Sequence, residues 1–163
     1  SKAISKVMRT HMFIYDRFHA LSGSEASPVM VKTWADFLPL ITKQFTQSEA
    51  EYLVRELRDP NHYWLPHGIP TVAASETAYD PEEPTWGEAW QHPHWRGPSW
   101  QCVHWFLYHG LINYGYTEEA SQIRTKALTL IERQGFREYY HPETGAGLGA
   151  YNFMWGGLVL DME

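Results

Sequence analysis

An all-α architecture, with a functional site in the loops on one face and one short β-hairpin, is predicted by three features of this 163-residue chain. Thr46-Gln-Ser-Glu49 has the spacing of a capping box, and Ala50, Leu53, Val54 and Leu57 follow at i, i+3, i+4 and i+7. Trp100 to Gln134 carries two further apolar stripes parted by Gly115, and a short helix–Gly–helix connection favours antiparallel neighbours. Between them, Asn61 to Pro98 is proline-dense and keeps no helical or strand period, which excludes a long helix there.

Taken in order, Ser1 to about Arg9 can form the tail of a helix, and Met12 to Phe18 reads as a strand with β-prone Phe13, Ile14 and Tyr15. Leu21 to Pro28 has a loop's composition, with a hairpin returning at Val29 to Lys32. A short helix is expected from about Ala35, capped by Asp36, with Pro39 in its tolerant first turn. The capping-box helix then runs to Asp59-Pro60, which ends it. Trp100, Val103, Leu107 and Leu111 form one stripe. Thr117 is the expected N-cap of the next helix, which turns Ala120, Ile123, Ala127, Leu130 and Ile131 inward and stops at Gly135. Phe136 to Tyr140 is β-prone, His141-Pro-Glu-Thr-Gly145 is a turn, and Phe153 to Glu163 begins a last apolar helix.

The length fits one domain, residues 1–163, with enough apolar material for a core: 44% hydrophobic and 20% charged residues. Thirteen Lys and Arg against 19 Asp and Glu leave a net charge of −6, and no run of basic residues meets what a phosphate backbone demands, so nucleic acid is not an expected partner. No segment is long and apolar enough for a membrane span or a signal peptide. Cys102 is the only cysteine, which forbids an intrachain disulfide and fits a reducing, cytoplasmic setting. Nine histidines invite a metal, yet neither His62 with His67 nor His92 with His94 has the His-x-x-x-His spacing of a zincin helix, and no metal is expected.

Aromatic residues make up 15% of the chain, and many of them (Tyr63, Trp64, Tyr79, Trp86, Trp90, Trp95) fall in the aperiodic segment. Flat apolar faces among Gly, Pro and charged residues can form a core or line a pocket. Carbohydrate chemistry suits such material, because aromatic faces stack on sugar C–H surfaces while carboxylates transfer the protons. Glu138 lies just past a helix stop, on a strand whose alternation would put it on one face with Phe136. On spacing alone it is either a site carboxylate or a surface acid paired with Arg137 or Arg133.

Three segments carry a resemblance: Tyr63-Trp-Leu-Pro-His-Gly-Ile-Pro-Thr71, Trp95-Arg-Gly-Pro-Ser-Trp100, and Gly135-Phe-Arg-Glu-Tyr-Tyr-His-Pro-Glu-Thr-Gly-Ala-Gly-Leu-Gly149. In this order and spacing, and over nearly the whole chain, they resemble the C-terminal half of glycoside hydrolase family 63. The mannosylglycerate and glucosylglycerate hydrolase branch is the most similar, and trehalases are alike at the Glu-Tyr segment. The resemblance implies half of an (α/α)6 toroid and hydrolysis of α-linked glucosides or mannosides with inversion, without a cofactor. It implies that Glu138 is the general base, that Trp95 and Trp100 contact sugar, and that Arg96, Tyr139, Tyr140 and Trp155 belong to the same saccharide-binding surroundings.

One departure is plain. An inverting enzyme needs a second carboxylic acid ~6.5–9.5 Å from the base. In this family that acid is an Asp in an aromatic-rich motif of the N-terminal half, and no such motif occurs here. Asp16, Glu76, Asp80 and Glu88 are possible substitutes. Half a ring leaves helix faces without neighbours, so a homo-oligomer or a missing N-terminal half is the expected partner. The competing readings are a non-catalytic saccharide-binding module and a degenerate fragment with a structural or interaction role.

Overall fold

Thr46 starts the first helix as its spacing requires. Its backbone N–H donates to Glu49 Oε2 at 2.7 Å, and the Glu49 N–H returns to Thr46 Oγ1 at 3.4 Å, so two otherwise orphaned donors of the first turn are satisfied. Helix α1 then runs Gln47–Leu57 and buries Ala50, Leu53, Val54 and Leu57, the residues of the predicted stripe.

The computed structural model describes residues 30–43, 45–82 and 95–163 and four two-residue strands before them. Helices α2 (Gln101–Asn113) and α3 (Thr117–Gln134) pack on each other, and α2 also packs on a 3-10 helix, Trp34–Thr42. Their buried faces meet α1 in one core that includes Leu40, Leu53, Leu57, Ile69, Leu107, Leu111 and Ile123. Gly115, at φ 82°, makes the left-handed turn between α2 and α3 that a side chain would resist. Among the described residues, no helix is long and apolar enough to cross a membrane.

Several expectations are corrected. Thr117 is the first helical residue rather than the N-cap, which is Tyr116. Asp36 acts from inside the 3-10 helix, where its Oδ2 accepts the Thr33 N–H at 3.1 Å, and Pro39 is interior rather than in the first turn. The last helix is a 3-10 helix, Met154–Asp161, as suits a segment that contains Gly156 and Gly157, poor α-helix formers. In place of one strand over Met12 to Phe18, β1 (Phe13–Ile14) pairs antiparallel with β2 (Arg17–Phe18). In place of a return at Val29 to Lys32, β3 (Leu21–Ser22) pairs with β4 (Ser27–Pro28). The helix tail at Ser1 to Arg9 lies outside the described residues.

A third pair, β5 (Arg137–Tyr140) with β6 (Gly147–Tyr151), closes over the turn His141 to Gly145, and the second of these strands carries no period that announces it. The chain is thus helix-rich with small hairpins.

The cap makes the first testable statement. Thr46→Ala should lower the unfolding free energy by about 1 kcal/mol in urea titration, and Thr46→Ser should restore most of it, because serine keeps the side-chain oxygen that alanine lacks.

Candidate active site

Ser99 is where the three sequence motifs meet. Its N–H donates to the Tyr140 carbonyl at 2.8 Å and its carbonyl accepts the Tyr140 N–H at 2.9 Å, while an isolated bridge pairs it with Pro70 on its other side. The first motif is tied again one residue away: Thr71 N–H and Oγ1 both reach the Pro98 carbonyl, and Gly97 N–H donates to Thr71 Oγ1 at 3.0 Å. Gly97 is required here because a Cβ would lie 2.7 Å from the backbone of Asp80 and Pro81.

Beneath the junction, His104 is completely buried. Its Nε2 accepts the Ile69 N–H at 3.1 Å and lies 3.0 Å from Ser99 Oγ, which assigns the ring proton to Nδ1, facing Gln101 Oε1 at 3.3 Å. Burial, with a smaller push from Lys126, lowers its pKa from 6.5 to about 3. Lys126 itself holds the first motif on α3, donating to the carbonyls of Leu65 at 2.7 Å and Pro66 at 2.8 Å.

On this frame the tryptophans assemble. Trp95 and Trp100 stack with centroids 4.3 Å apart and planes 6° from parallel, and Trp155 sits 5.5 Å from Trp100 at 55°. Phe153 meets Trp155 edge-on, and Trp34 lies 6.3 Å from Trp95. Trp100 is the buried floor at 3% exposure, whereas Trp95 at 43% and Trp155 at 38% turn apolar surface outward. Such a floor with two open faces can hold the C–H side of a sugar ring.

Trp100 contacts Tyr139 at 5.1 Å, and Tyr139 adjoins Glu138 on β5. The strand alternation fails at that point: Arg137 pairs with Tyr151 and Tyr139 with Leu148, so Gly149 and Ala150 together face Glu138 in a β-bulge. The bulge frees the Ala150 N–H from the ladder, and it donates to Glu138 Oε2 at 3.0 Å. Gly149, at φ 65°, has no alternative, since a Cβ would stand 2.8 Å from that same carboxylate oxygen.

Of the alternatives that spacing left open for Glu138, the pairing with Arg137 does not form. The Arg137 guanidinium donates to the Gly149 carbonyl at 2.9 Å and covers the Tyr151 ring at 3.7 Å. Phe136 does not share the strand with Glu138; it precedes β5 and lies against Gly156.

Other named residues take structural positions. Arg96 pairs with Asp80 at 3.0 Å, and the Asp80 N–H reaches back to the Arg96 carbonyl at 2.7 Å. Tyr140 is fully buried, its hydroxyl donating to the Gly135 carbonyl and accepting the Arg137 N–H. Glu76 accepts the Lys32 N–H at 3.2 Å. Asp16, Trp86, Glu88, Trp90, His92 and His94 lie outside the described residues. Among the described residues, no three His, Cys, Asp or Glu side chains gather as a metal site would require; His62 pairs with Glu56 at 3.1 Å.

Sequence reasoning missed Ser99, His104, Arg137 and Gly149. His104 was legible, because it continues the buried stripe of Trp100, Leu107 and Leu111. Gly147-Leu-Gly149 opposite a carboxylate was a signal for a bulge. Ser99 and Arg137 had none, since their roles depend on contacts distant in sequence.

The chain is similar to known glycoside hydrolases. Residues 2–156 match the mannosylglycerate hydrolase MGH1-like glycoside hydrolase domain. The mannosylglycerate hydrolase of Thermus thermophilus is 37% identical over 135 residues, which is 81% of this chain and 29% of that protein. The mannosylglycerate hydrolase MGH2 of Selaginella moellendorffii is 36% identical over 76% of this chain and 23% of its own length. Among solved structures, a family 63 mannosylglycerate hydrolase from Thermus thermophilus in complex with glucose superposes with a TM-score of 0.77 at 30% identity, covering 93% of this chain and 36% of that one. The neutral trehalase Nth1 of Saccharomyces cerevisiae shares the fold, with a TM-score of 0.68 at 15% identity over 99% of this chain and 30% of that one. The chain therefore spans about a third or less of the length of these relatives.

The buried imidazole sets a pH dependence. Because the folded pKa of His104 lies below its unfolded value, its contribution to stability is complete above pH 6.5 and is lost as pH falls toward about 3. Urea titrations at stepped pH should show wild type losing up to about 1.4 kcal/mol more per pH unit over that window than His104→Gln, whose amide cannot take up a proton. Equal slopes would contradict the buried neutral ring.

Proposed function

This chain belongs to the mannosylglycerate hydrolase MGH1-like glycoside hydrolases of family 63, and on that premise we propose that residues 1–163 are the C-terminal portion of an (α/α)6 catalytic domain with Glu138 as its general base. The substrate class is an α-mannoside or α-glucoside of a small acid such as glycerate, by analogy with what its relatives are named for. The observation that supports this reading best is the Glu138 carboxylate, oriented by a backbone N–H at a bulge one residue from the tyrosine that carries the tryptophan floor.

In this mechanism the open faces of Trp95 and Trp155 stack on the sugar, and Trp100 with Tyr139 keeps those faces at a set height relative to Glu138. Glu138 takes a proton from water as the water attacks the anomeric carbon through an oxocarbenium-like transition state, which inverts its configuration. Tyr140 and Arg96 hold the strand and the tryptophan turn rather than the sugar. Asp80 and Glu76 are committed to Arg96 and to the Lys32 backbone. With those two candidates engaged, the proton for the leaving oxygen is assigned to another carboxylic acid, in a preceding barrel half or in a second copy. The engagement of Asp80 and Glu76 also favours one alternative, a saccharide-binding module that keeps the aromatic floor and does not turn over.

Hydrolysis of mannosylglycerate, glucosylglycerate and a panel of α-glucosides and α-mannosides, with Glu138→Gln alongside, separates the two. Turnover that falls by on the order of a hundredfold or more in Glu138→Gln, with the anomer inverted by NMR, is the enzyme's result. Saccharide-dependent tryptophan fluorescence without turnover, equal in both proteins, is the binding module's.

Association is expected to accompany either outcome. Met154 and Leu160, 87% and 78% exposed, share the last 3-10 helix with Trp155 and leave apolar surface for a neighbour. Light scattering across micromolar concentrations should show a mass that rises above the 19.0 kDa protomer; a constant protomer mass would count against self-association.

A further inference from the structure

The peptide between Gly149 and Ala150 faces two charged side chains at once. Its carbonyl accepts from Arg137 Nη2 at 2.9 Å, and its N–H donates to Glu138 Oε2 at 3.0 Å. Both bonds belong to a single planar unit, so the orientation of one fixes that of the other. A cation on the carbonyl oxygen also polarises the N–H toward the carboxylate.

Arg137 is built in for such a task. It is only 9% exposed, Tyr151 covers its guanidinium, and Gly147 leaves room for its stem, since a Cβ there would lie 2.6 Å from Arg137 Cγ. Of its donors, Nη2 is spent on the Gly149 carbonyl while Nε is buried without a partner, so the bond to this peptide is what offsets the cost of enclosing the guanidinium.

We propose that Arg137 is a positioning residue for the Glu138 carboxylate, acting through the Gly149–Ala150 peptide as a relay. This rests on the reading of Glu138 as the general base, and it adds the device that aims it. The planar fork of arginine can hold a carbonyl in one direction, and a bulge with glycine at its positive-φ position lets the peptide lie flat between the two side chains. A base displaced by even ~1 Å from its water loses much of its rate, which gives the relay its value.

NMR of the full 163-residue chain, labelled with carbon-13 and nitrogen-15, tests the relay without requiring turnover. In the wild type, the Ala150 amide proton and the Arg137 Nη protons should shift across an acid titration with the same midpoint as the Glu138 side-chain carboxyl carbon, and Glu138→Gln should abolish both responses. In Arg137→Met, the Ala150 amide should lose most of its response while the Glu138 carbon still titrates. Were Arg137 only a strut of the hairpin, its replacement would lower thermal stability and leave the Ala150 response at full amplitude, which overturns the proposal. A wild-type titration in which the Ala150 amide ignores Glu138 overturns it equally, whether or not the variants fold. Turnover that survives in Glu138→Gln would reject the general-base reading by itself and leave these couplings as measured.

Discussion

The contact on which the rest of the site depends is a neutral imidazole hydrogen-bonded in the core. His104 Nε2 takes the Ile69 N–H and lies beside the Ser99 hydroxyl, and Ser99 in turn is bonded through its backbone to Tyr140. Ile69 belongs to the first motif, Ser99 to the second and Tyr140 to the third, so one buried ring on α2 holds segments that begin at residues 63, 95 and 135. A backbone N–H left unpaired at that depth would cost on the order of 1–3 kcal/mol, and the ring removes that cost only in its uncharged form. Residues 63–71 and 95–99 can therefore lack a local period and still be held in place, because their order comes from one junction.

From that junction the constraint passes outward in two directions. Trp100 follows Ser99 directly, opens α2 and forms the floor under Trp95 and Trp155; its burial anchors two aromatic faces that would otherwise have little reason to stay open to solvent. Tyr140 pairs with Ser99, and two residues earlier on the same strand stands Glu138. The Glu138 carboxylate and the aromatic platform are thus each a residue or two from one point of attachment. Residues attached so can keep their mutual distances when neighbouring elements shift.

What the sequence made legible follows from where the information lies. The helices α1, α2 and α3 were readable to within a residue or two because caps, stripes and Gly stops are local signals. Pro39 and Thr117 were misplaced by local rules that tertiary packing overrode, and the early hairpins were misjudged because strands of two residues are too short to show alternation. At the site, the motif residues Trp95, Trp100 and Glu138 were legible by resemblance, but their physical roles were not. Tyr140 and Arg96 stood beside them in the same motifs and proved to be a buried staple and the partner of Asp80. A motif marks which residues travel together; only the packing separates those with exposed faces from those that hold them.

The bulge at Glu138 shows why that distinction has a chemical consequence. A regular β5–β6 ladder would spend the Ala150 N–H on the partner strand and let a carboxylate at position 138 rotate among its staggered rotamers. One extra residue in β6 withdraws that N–H from the ladder and gives it to the carboxylate, at the expense of a ladder bond and of a glycine in a positive-φ conformation. The fold thus gives up a small amount of hairpin stability for a fixed direction of one oxygen pair. The carboxylate loses rotamer freedom and gains one directed hydrogen bond, so the direction of position 138 is set by the backbone of β6 rather than by its own strand.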